Sequence, residues 1–354
     1  MEHLKQIADK LPEYGLDAML ITSGPGERYA VDFHGEGMVV VSAGGSHYST
    51  DGRYIEAAQG RITGAELSLM TRERGHLALA RAFLEGRGLR RVGFESGVMS
   101  VDEHRRAQET LGVELIPAQE LLDGLRGAKD AEELRRMERA QQITDEAFEA
   151  ICGWIRPGMT EREIAARLVY ELLRRGGERV SFDPIVASGP NSSMPHAVPT
   201  DRKVREGDFI TMDFGCVAEG YCSDMTRTVA LGQPTAEMEQ VYQVVLEAQL
   251  AGIAAARAGI PGREIDAAAR RVIAEAGYGD CFTHSFGHSL GLSVHEGPNA
   301  APGEGRIMPA GCVVSAEPGI YLPGRFGVRI EDVLVLEEGG CRVLTRSPKE
   351  LRRL

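Results

Sequence analysis

The first third of the chain alternates short apolar runs with segments of helical period. The runs at 18–22 (AMLIT), 37–42 (GMVVVS) and 90–96 (RRVGFES) are typical of strands, and the first of them follows an amphipathic helix. Apolar residues recur at helical spacing in 76–86 (HLALARAFLEG) and 100–112 (SVDEHRRAQETLG). This order predicts a small α/β domain with its own sheet. The Gly-rich GPGER at 24–28 lacks the Lys-Ser/Thr of a phosphate loop, so it is interpreted as a turn.

A long helix marks the start of a second domain. Asp130 and Glu133 have the spacing of a capping box, and the pattern from 131 to about 151 is that of an amphipathic helix. The expected domains are therefore residues 1–125 and 126–354.

The second domain contains an internal duplication with an offset of 104 residues. GDFITMDFG at 207 aligns with GCVVSAEPG at 311, and RPGMTEREIAARL resembles GIPGREIDAAARR, with Pro157 and Pro261 again 104 apart. Two copies at so long a period predict a pseudo-symmetric domain with a shared central sheet, not a solenoid.

Each copy carries two acids in a hairpin. Folding residues 210–228 at Ala218 and Glu219 would place Asp213 opposite Asp224, where two charges about 5 Å apart repel by roughly 3 kcal/mol at an effective dielectric near 20. A divalent cation between them converts repulsion into attraction. In the second copy Glu317 matches Asp213, and strand alternation makes Glu331 the counterpart of Asp224, with Asp332 the weaker candidate.

Within the second domain, histidine is confined to a few segments. The four histidines beyond residue 126 lie in Gly/Pro/Ser-rich stretches outside the acid-bearing hairpins: His196, His284, His288 and His295. Several carboxylates with one imidazole suit a pair of divalent ions such as manganese, cobalt or zinc.

Charge and composition limit which classes of partner the protein can bind and indicate its cellular location. The net charge of −12 and the pI near 5.4 argue against nucleic acid or an anionic membrane. We identify no signal peptide and no apolar run of 18 residues, so we expect a cytoplasmic protein without a membrane span. The six cysteines show no CxxC spacing and are expected to be free thiols, although Cys216 and Cys222 lie close enough in the hairpin to pair.

Together the motifs of residues 130–354 resemble the pita-bread metallopeptidases, in the group containing aminopeptidase P and prolidase. The resemblance rests, in family order and spacing, on MPHAVP, TMDFGCVAEGYCSDMTRT, THSFGHSLGLSVHEGP, SAEPGIYLPG and GVRIEDVLVL. Residues 1–125 resemble the family's N-terminal domain more loosely, since GERYAVDFHGEG departs from the usual Arg-Tyr-Leu-Thr-Gly-Phe-like stretch. The implied fold is α+β: a small creatinase-like α/β domain, then a pseudo-symmetric domain with a curved, mainly antiparallel sheet flanked by helices.

The resemblance also implies a site. It places two divalent ions, with manganese favoured, on five ligands: Asp213, Asp224, His288, Glu317 and Glu331. Catalytic roles fall on His196, His295 and Glu317, of which Glu317 relays the proton of a metal-activated water to the leaving nitrogen. Substrate contacts fall on His196, His284, His295 and Arg329, and Arg329 either contacts the substrate or buffers the acids.

The implied activity is removal of the first residue from peptides with proline in second position, as in small bacterial aminopeptidases P. Prolidase, which accepts only dipeptides, is the alternative. A non-peptidase or metal-free binding member of this fold is only a remote third possibility, because all five ligands are present. The resemblance further implies a homodimer.

Overall fold

A computed structural model describes residues 2–354, which form two compact units, one up to Arg126 and the other Gly127–Leu354. The helices are α1 Glu2–Lys10, α2 Gly24–Val31, α3 Ile55–Arg61, α4 His76–Arg87, α5 Val101–Leu111, α6 Gln119–Gly127, α7 Ala131–Trp154, α8 Glu161–Arg174, α9 Ala236–Ala255 and α10 Gly262–Glu275. The strands are β1 Ala18–Ile21, β2 Met38–Ser42, β3 Gly45–Thr50, β4 Ala65–Leu69, β5 Arg91–Phe94, β6 Glu114–Pro117, β7 Arg179–Val180, β8 Ile185–Ser188, β9 Phe209–Phe214, β10 Cys216–Ala218, β11 Tyr221–Cys222, β12 Met225–Ala230, β13 Gly287–Ser289, β14 Glu296–Ala300, β15 Val313–Ala316, β16 Gly319–Leu322, β17 Phe326–Arg329, β18 Asp332–Glu337 and β19 Gly340–Val343.

The first unit is built on one six-stranded sheet. Its order is β4-β3-β2-β1-β5-β6, antiparallel from β1 to β3 and parallel elsewhere, and Leu20, Val40 and Leu84 belong to its core. The three predicted strands are present as β1, β2 and β5. The interpretation of 24–28 as a turn is wrong, because these residues begin α2. Ser23 caps that helix by accepting a hydrogen bond from the Gly26 N–H. Pro25 lies in the first turn, where the N–H that proline lacks would have no acceptor within the helix.

The second unit repeats one order of elements. Each half begins with a long helix, α7 or α9, followed by a 14-residue helix, α8 or α10, and then by strands. The predicted capping box of α7 is confirmed, since Asp130 and Glu133 exchange side-chain and backbone hydrogen bonds. Helices α7 and α8 share a core with β9 and β12, and α9 and α10 share a second core with β15 and β18.

The hairpin of the first half has a different register from the predicted one. The ladder pairs Asp213 with Thr226, so the prediction that Asp213 faces Asp224 is wrong. The turn residues are Glu219 and Gly220, with φ of 49° and 84°, because a two-residue hairpin loop requires left-handed backbone that glycine readily adopts. A shift of two residues preserves the alternation of faces, and Asp224 remains on the side of Asp213.

The two ladders of the second hairpin share one register. Gly319 lies opposite Arg329 and Ala316 opposite Asp332. Glu317 and Glu331 occupy the gap between these two ladders, one on each strand.

Within the described residues all six cysteines are free, including Cys216 and Cys222. No helix in residues 2–354 has both the length and the apolar character needed to cross a membrane.

Candidate metal centre

One cavity of about 580 Å³ in the second unit collects the predicted site residues. Its walls include all nine of them: His196, Asp213, Asp224, His284, His288, His295, Glu317, Arg329 and Glu331. Each half of the duplicated unit contributes, so the cavity lies where the two halves meet.

Short strands present the five expected ligands. Asp213 lies on β9, Asp224 immediately before β12, and His288 on β13. Glu317 follows β15, and Glu331 lies between β17 and β18. Four of the five are therefore at strand ends or breaks in a ladder, where side chains from different strands can converge on one point.

The ligand atoms of these side chains lie close enough together to bind one metal ion. Single ligand atoms of Asp224, His288 and Glu331 lie within 4.8 Å of one another. His288 Nε2 is 3.6 Å from Asp224 Oδ2 and 3.3 Å from Glu317 Oε1. One ion can therefore reach an imidazole and several carboxylates.

The acids keep buried oxygens without partners. Among the described residues, Asp213 Oδ1, Asp224 Oδ1 and Glu331 Oε1 are buried and accept no hydrogen bond. An unpaired buried acceptor costs about 1–3 kcal/mol, and more when it is charged. These oxygens with one imidazole fit a divalent cation, because hard oxygen ligands satisfied by metal remove that cost.

The pKa values of three of these carboxyls are raised by their burial and by the other acids around them. Burial, and then repulsion from Glu331 and Asp213, raises the pKa of the Asp224 carboxyl well above its usual range. Burial raises the pKa of Glu331 well above its usual range too, reinforced by Glu317 and Asp213. Burial is also the main cause of the raised pKa of Glu317. Carboxyls of this kind are stabilised as anions when a cation is bound among them.

The guanidinium of Arg329 donates hydrogen bonds to four acceptors within the protein. Its Nη2 donates to Asp213 Oδ2 at 2.6 Å, and its Nε donates to Thr226 Oγ1 at 3.0 Å. Its Nη1 donates to the Tyr321 hydroxyl at 2.8 Å and to the Pro195 carbonyl at 3.2 Å. Although burial opposes it, contact with Tyr321 and Asp213 raises the pKa of Arg329 well above its ordinary value.

The histidines differ in how much of each ring is available. His284 contacts the Ser285 carbonyl through Nδ1 and the Tyr321 hydroxyl through Nε2, so both of its nitrogens are engaged. His295 packs against His288 with ring centroids 4.3 Å apart. Burial lowers the pKa of His284, His288 and His295, which favours neutral imidazoles near neutral pH. His196 is exposed.

Four residues that we did not single out from the sequence support the expected ligands and their neighbours in the cavity. Thr226 Oγ1 donates to Glu331 Oε2 at 2.8 Å, and the Gln141 amide oxygen accepts from the Asp224 N–H at 3.4 Å. Tyr321 joins His284 to Arg329. Arg227 donates to the Glu331 carbonyl and, at 2.7 Å, to Asp332 Oδ1. Thr226 and Arg227 stand in the DMTRT motif beside Asp224, which is the only signal in the sequence that pointed to them.

Asp332 lies outside the ligand cluster. It is fully buried and forms ion pairs with Arg227 and with Lys349. Its charge is thus neutralised within the fold, in agreement with its lower rank as a ligand in the sequence.

Comparison with known families matches both parts of the chain. Residues 135–338 match the model of metallopeptidase family M24, and residues 3–127 match the creatinase/prolidase N-terminal domain. The peptidase YqhT of Bacillus subtilis, which is described as uncharacterized, is 41% identical over 98% of this chain and 99% of its own length.

Two solved structures superpose over nearly the whole chain. An Xaa-Pro dipeptidase from Bacillus anthracis has a TM-score of 0.96 and 38% identity, covering 100% of this chain and 99% of that one. An X-Pro aminopeptidase from Thermotoga maritima has a TM-score of 0.91 and 36% identity, covering 96% and 98%. The predicted pita-bread resemblance and α+β fold class are confirmed. The chain belongs to metallopeptidase family M24 and carries a creatinase/prolidase N-terminal domain.

Proposed function

We propose that the protein is a metal-dependent peptidase that hydrolyses the bond between a first residue and a following proline, and that it acts as an Xaa-Pro dipeptidase. The observation that carries this proposal is the convergence of four carboxylates and one histidine in a single cavity, three of the carboxylates with unpaired buried oxygens. The motifs in the sequence favour the aminopeptidase, whereas the Bacillus anthracis dipeptidase is the more similar of the two solved structures. We therefore place the dipeptidase first and the aminopeptidase second.

The proposed ligands are Asp213, Asp224, His288, Glu317 and Glu331. The set suits two divalent ions, and its carboxylate content favours manganese, with zinc or cobalt as alternatives. Such ions, when bound, polarise a carbonyl and lower the pKa of a water molecule.

Glu317 is the proposed proton carrier. Its carboxyl lies in the cavity and accepts from Ser315 Oγ at 2.9 Å, so it is oriented beside the groups on which the reaction would take place. We propose that it takes the proton of the attacking water and delivers it to the proline nitrogen. That nitrogen belongs to a tertiary amide and must be protonated to leave.

The remaining cavity groups bind and orient the substrate. We propose that His295 stabilises negative charge developing on the carbonyl oxygen, while His196 and His284 flank the proline ring. Because four of its donor contacts go to the protein, Arg329 is proposed chiefly to balance the charge of Asp213. Apolar walls for the ring and the first side chain come from Phe182, Ile185, Val198 and Val294.

The sequence pattern and the family resemblance also suggest how the molecule is organised. We propose two domains, 1–125 and 126–354, in a cytoplasmic homodimer.

Hydrolysis of an Xaa-Pro dipeptide and of the matching Xaa-Pro-Yaa tripeptide by the metal-loaded protein tests the function. Strict preference for the dipeptide supports the dipeptidase, and comparable rates on the tripeptide replace it with the aminopeptidase. If elemental analysis finds no transition metal and neither peptide is cleaved, the protein is instead a metal-free binding member of the fold.

A further inference from the structure

A buried carboxylate lies beneath the loop that carries His196. Glu161 is the first residue of α8 and is fully buried. The loop, residues 189–199 and here called the His196 loop, follows β8 and forms one wall of the cavity through Pro195, His196 and Val198. Its histidine is exposed, so the orientation of that side chain depends on how the loop itself is held.

One carboxylate binds both ends of this loop. Ser188, before the loop, donates to Glu161 Oε1 through its N–H and its hydroxyl, both at 2.7 Å. Thr200, after the loop, donates to Oε2 through its N–H at 3.0 Å and its hydroxyl at 2.6 Å. Asn191 Nδ2 donates to both oxygens, at 3.2 and 3.1 Å. All these donors converge on two oxygens, so the ends of the loop cannot move apart without losing charge-assisted hydrogen bonds.

The position of Glu161 is itself fixed by the start of α8. Thr160 caps the helix, and the Glu161 N–H donates to the Arg202 carbonyl just beyond the loop at 3.1 Å. A carboxylate in the first turn is favoured by the helix dipole. The helix start, the carboxylate and the loop ends thus form one connected unit.

The interior of the loop begins with a short 3₁₀ helix, Gly189–Ser193. Beyond this helix, the backbone N–H groups that donate within the loop are those of Met194 and Ala197, while Pro195 and Pro199 have no N–H to donate. Contacts of the tip run to the second half of the unit, from Gly327 N–H to Ser192 Oγ at 2.9 Å and from Arg329 to the Pro195 carbonyl. The loop therefore spans from Glu161 at its base to β17 at its tip, with His196 between.

The second half shows the same arrangement around its own histidines. Asp266, a buried residue of α10, accepts from the Phe286 N–H at 2.9 Å and pairs with Arg270. Arg270 in turn donates to the His284 carbonyl at 2.8 Å. In both halves, a buried acid on the 14-residue helix holds a histidine-bearing segment of the cavity wall.

We propose that Glu161 is a positioning residue that acts through His196. The carboxylate closes the base of the His196 loop and thereby fixes the imidazole against the bound substrate. This inference rests on the proposed function, because it assigns to His196 a contact with the substrate.

A double-mutant cycle with Glu161→Gln and His196→Ala tests the inference on the metal-loaded full-length protein. The glutamine keeps the size of the side chain but presents an amide donor to groups that are themselves donors. Loss of one or more charge-assisted hydrogen bonds should lower kcat/KM about ten- to hundredfold in Glu161→Gln. In the His196→Ala background the same change should cost less than about twofold, because no imidazole remains to be positioned. If the losses in kcat/KM of the two single mutants multiply in the double mutant, the proposal is overturned.

Hydrogen exchange gives a readout that does not depend on turnover. Backbone amides of the His196 loop should exchange faster in Glu161→Gln, while metal content per chain and exchange in α9 keep their wild-type values. If hydrogen exchange in the loop is unchanged, the proposal that Glu161 holds the ends of the His196 loop together is overturned. If the wild type cleaves no Xaa-Pro peptide, the proposed function fails, yet this exchange measurement still tests whether Glu161 holds the loop.

Glu163→Gln is the matched control, since Glu163 lies on the same helix turn but is exposed and bonds only to Thr160. It should keep kcat/KM within about twofold, given the small effect of surface substitutions. A loss equal to that of Glu161→Gln would mean that α8 had simply been destabilised, and would overturn the proposal. If Glu161→Gln does not fold, Thr200→Val, which removes only the hydroxyl donor, takes its place in the cycle with the same criteria.

Discussion

At the scale of the residue, two of the proposed ligand acids, Asp213 and Glu331, share one property: one oxygen accepts a hydrogen bond from the protein and the other is left without a partner. Glu331 Oε2 accepts from Thr226, and Asp213 Oδ2 accepts from Arg329. Their second oxygens, Oε1 and Oδ1, have no partner in the part of the chain that the structure describes. The hydrogen bond fixes the side chain, and the free oxygen is then directed to a cation without further loss of conformational entropy.

Metal binding should release protons. Burial and repulsion from neighbouring acids raise the pKa of Asp224 and Glu331 above the ordinary values of about 3.9 and 4.3, so in the metal-free fold both carboxyls keep protons to higher pH. Their contribution to stability is complete below the ordinary values and is lost as pH rises through the raised ones. Since a cation binds the anions, its apparent affinity should increase with pH over that range. Calorimetry in two buffers of different ionisation enthalpy measures the protons released.

Glu331→Gln is the control for that experiment, because it removes one of the two titrating groups and should release fewer protons for each ion bound. Binding without proton release, at a pH-independent affinity, would contradict the raised pKa values.

Glu317→Gln should preserve the fold and remove most of the rate. The amide retains the size of the side chain and reduces the repulsion among the acids, but it cannot carry a proton. A loss of general acid–base function lowers kcat by about 10²- to 10⁴-fold. Glu337→Gln, an exposed position at the end of β18, serves as the comparison. Wild-type kcat in a metal-loaded Glu317→Gln sample would exclude Glu317 as the proton carrier.

The sequence leads to the acids and histidines of the cavity but not to their supports. Unusual residue types mark the proposed ligands, since an acid inside an apolar strand is conspicuous by itself. Thr226 and Tyr321 are ordinary strand residues, and their role arises only from the side chains that folding places beside them. Gln141 lies on a helix 83 residues from Asp224, and no local pattern connects the two.

At the scale of the element, local chemistry decides where prediction succeeds. The capping box of α7 and three of the six strands of the first sheet, β1, β2 and β5, follow from neighbouring residues. The hairpin register depends on which pair of residues forms the turn. Placing it at Ala218 and Glu219 overlooks the demand for left-handed backbone, which Glu219 and Gly220 meet. The prediction of the shared face survives because the error is two residues, an even number.

Gly215→Ala should disrupt this hairpin. Gly215 lies between β9 and β10, and a Cβ there would be 2.0 Å from the Ser223 carbonyl oxygen, next to Asp224. Because backbone must move to admit the methyl group, we expect a loss of about 1–3 kcal/mol or more in the free energy of unfolding. Displacement of Asp224 should also weaken metal binding, which denaturant titration and calorimetry would measure separately.

Gly339→Ala provides the matched control, since a Cβ at that glycine meets no atom within 4 Å. It should leave both quantities within error of the wild type. If Gly215→Ala bound metal as tightly as Gly339→Ala does, the close approach at Ser223 would not be needed to place Asp224.

At the scale of the whole molecule, the duplication explains why the site lies where it does. The first half supplies Asp213 and Asp224, and the second supplies His288, Glu317 and Glu331. Neither half alone contains the proposed ligand set, so a cation bound by these residues would join two halves whose facing acids otherwise repel.

Removal of metal should therefore lower the thermal stability of the second unit, beyond any effect on activity. A ligand at one hundred times its Kd stabilises the folded state by about 2.7 kcal/mol, and for a unit of this size each kcal/mol shifts Tm by about 2–4 °C. Scanning calorimetry before and after chelation, with manganese added back, measures the difference. Asp224→Ala should bind metal weakly, turn over no substrate, and show the same Tm in all three conditions, since it lacks a ligand and one of the repelling charges. A chelation-sensitive Tm that persisted in Asp224→Ala would place the stabilising ion elsewhere, whereas its loss there would tie the stability of the unit to the acids that join its halves.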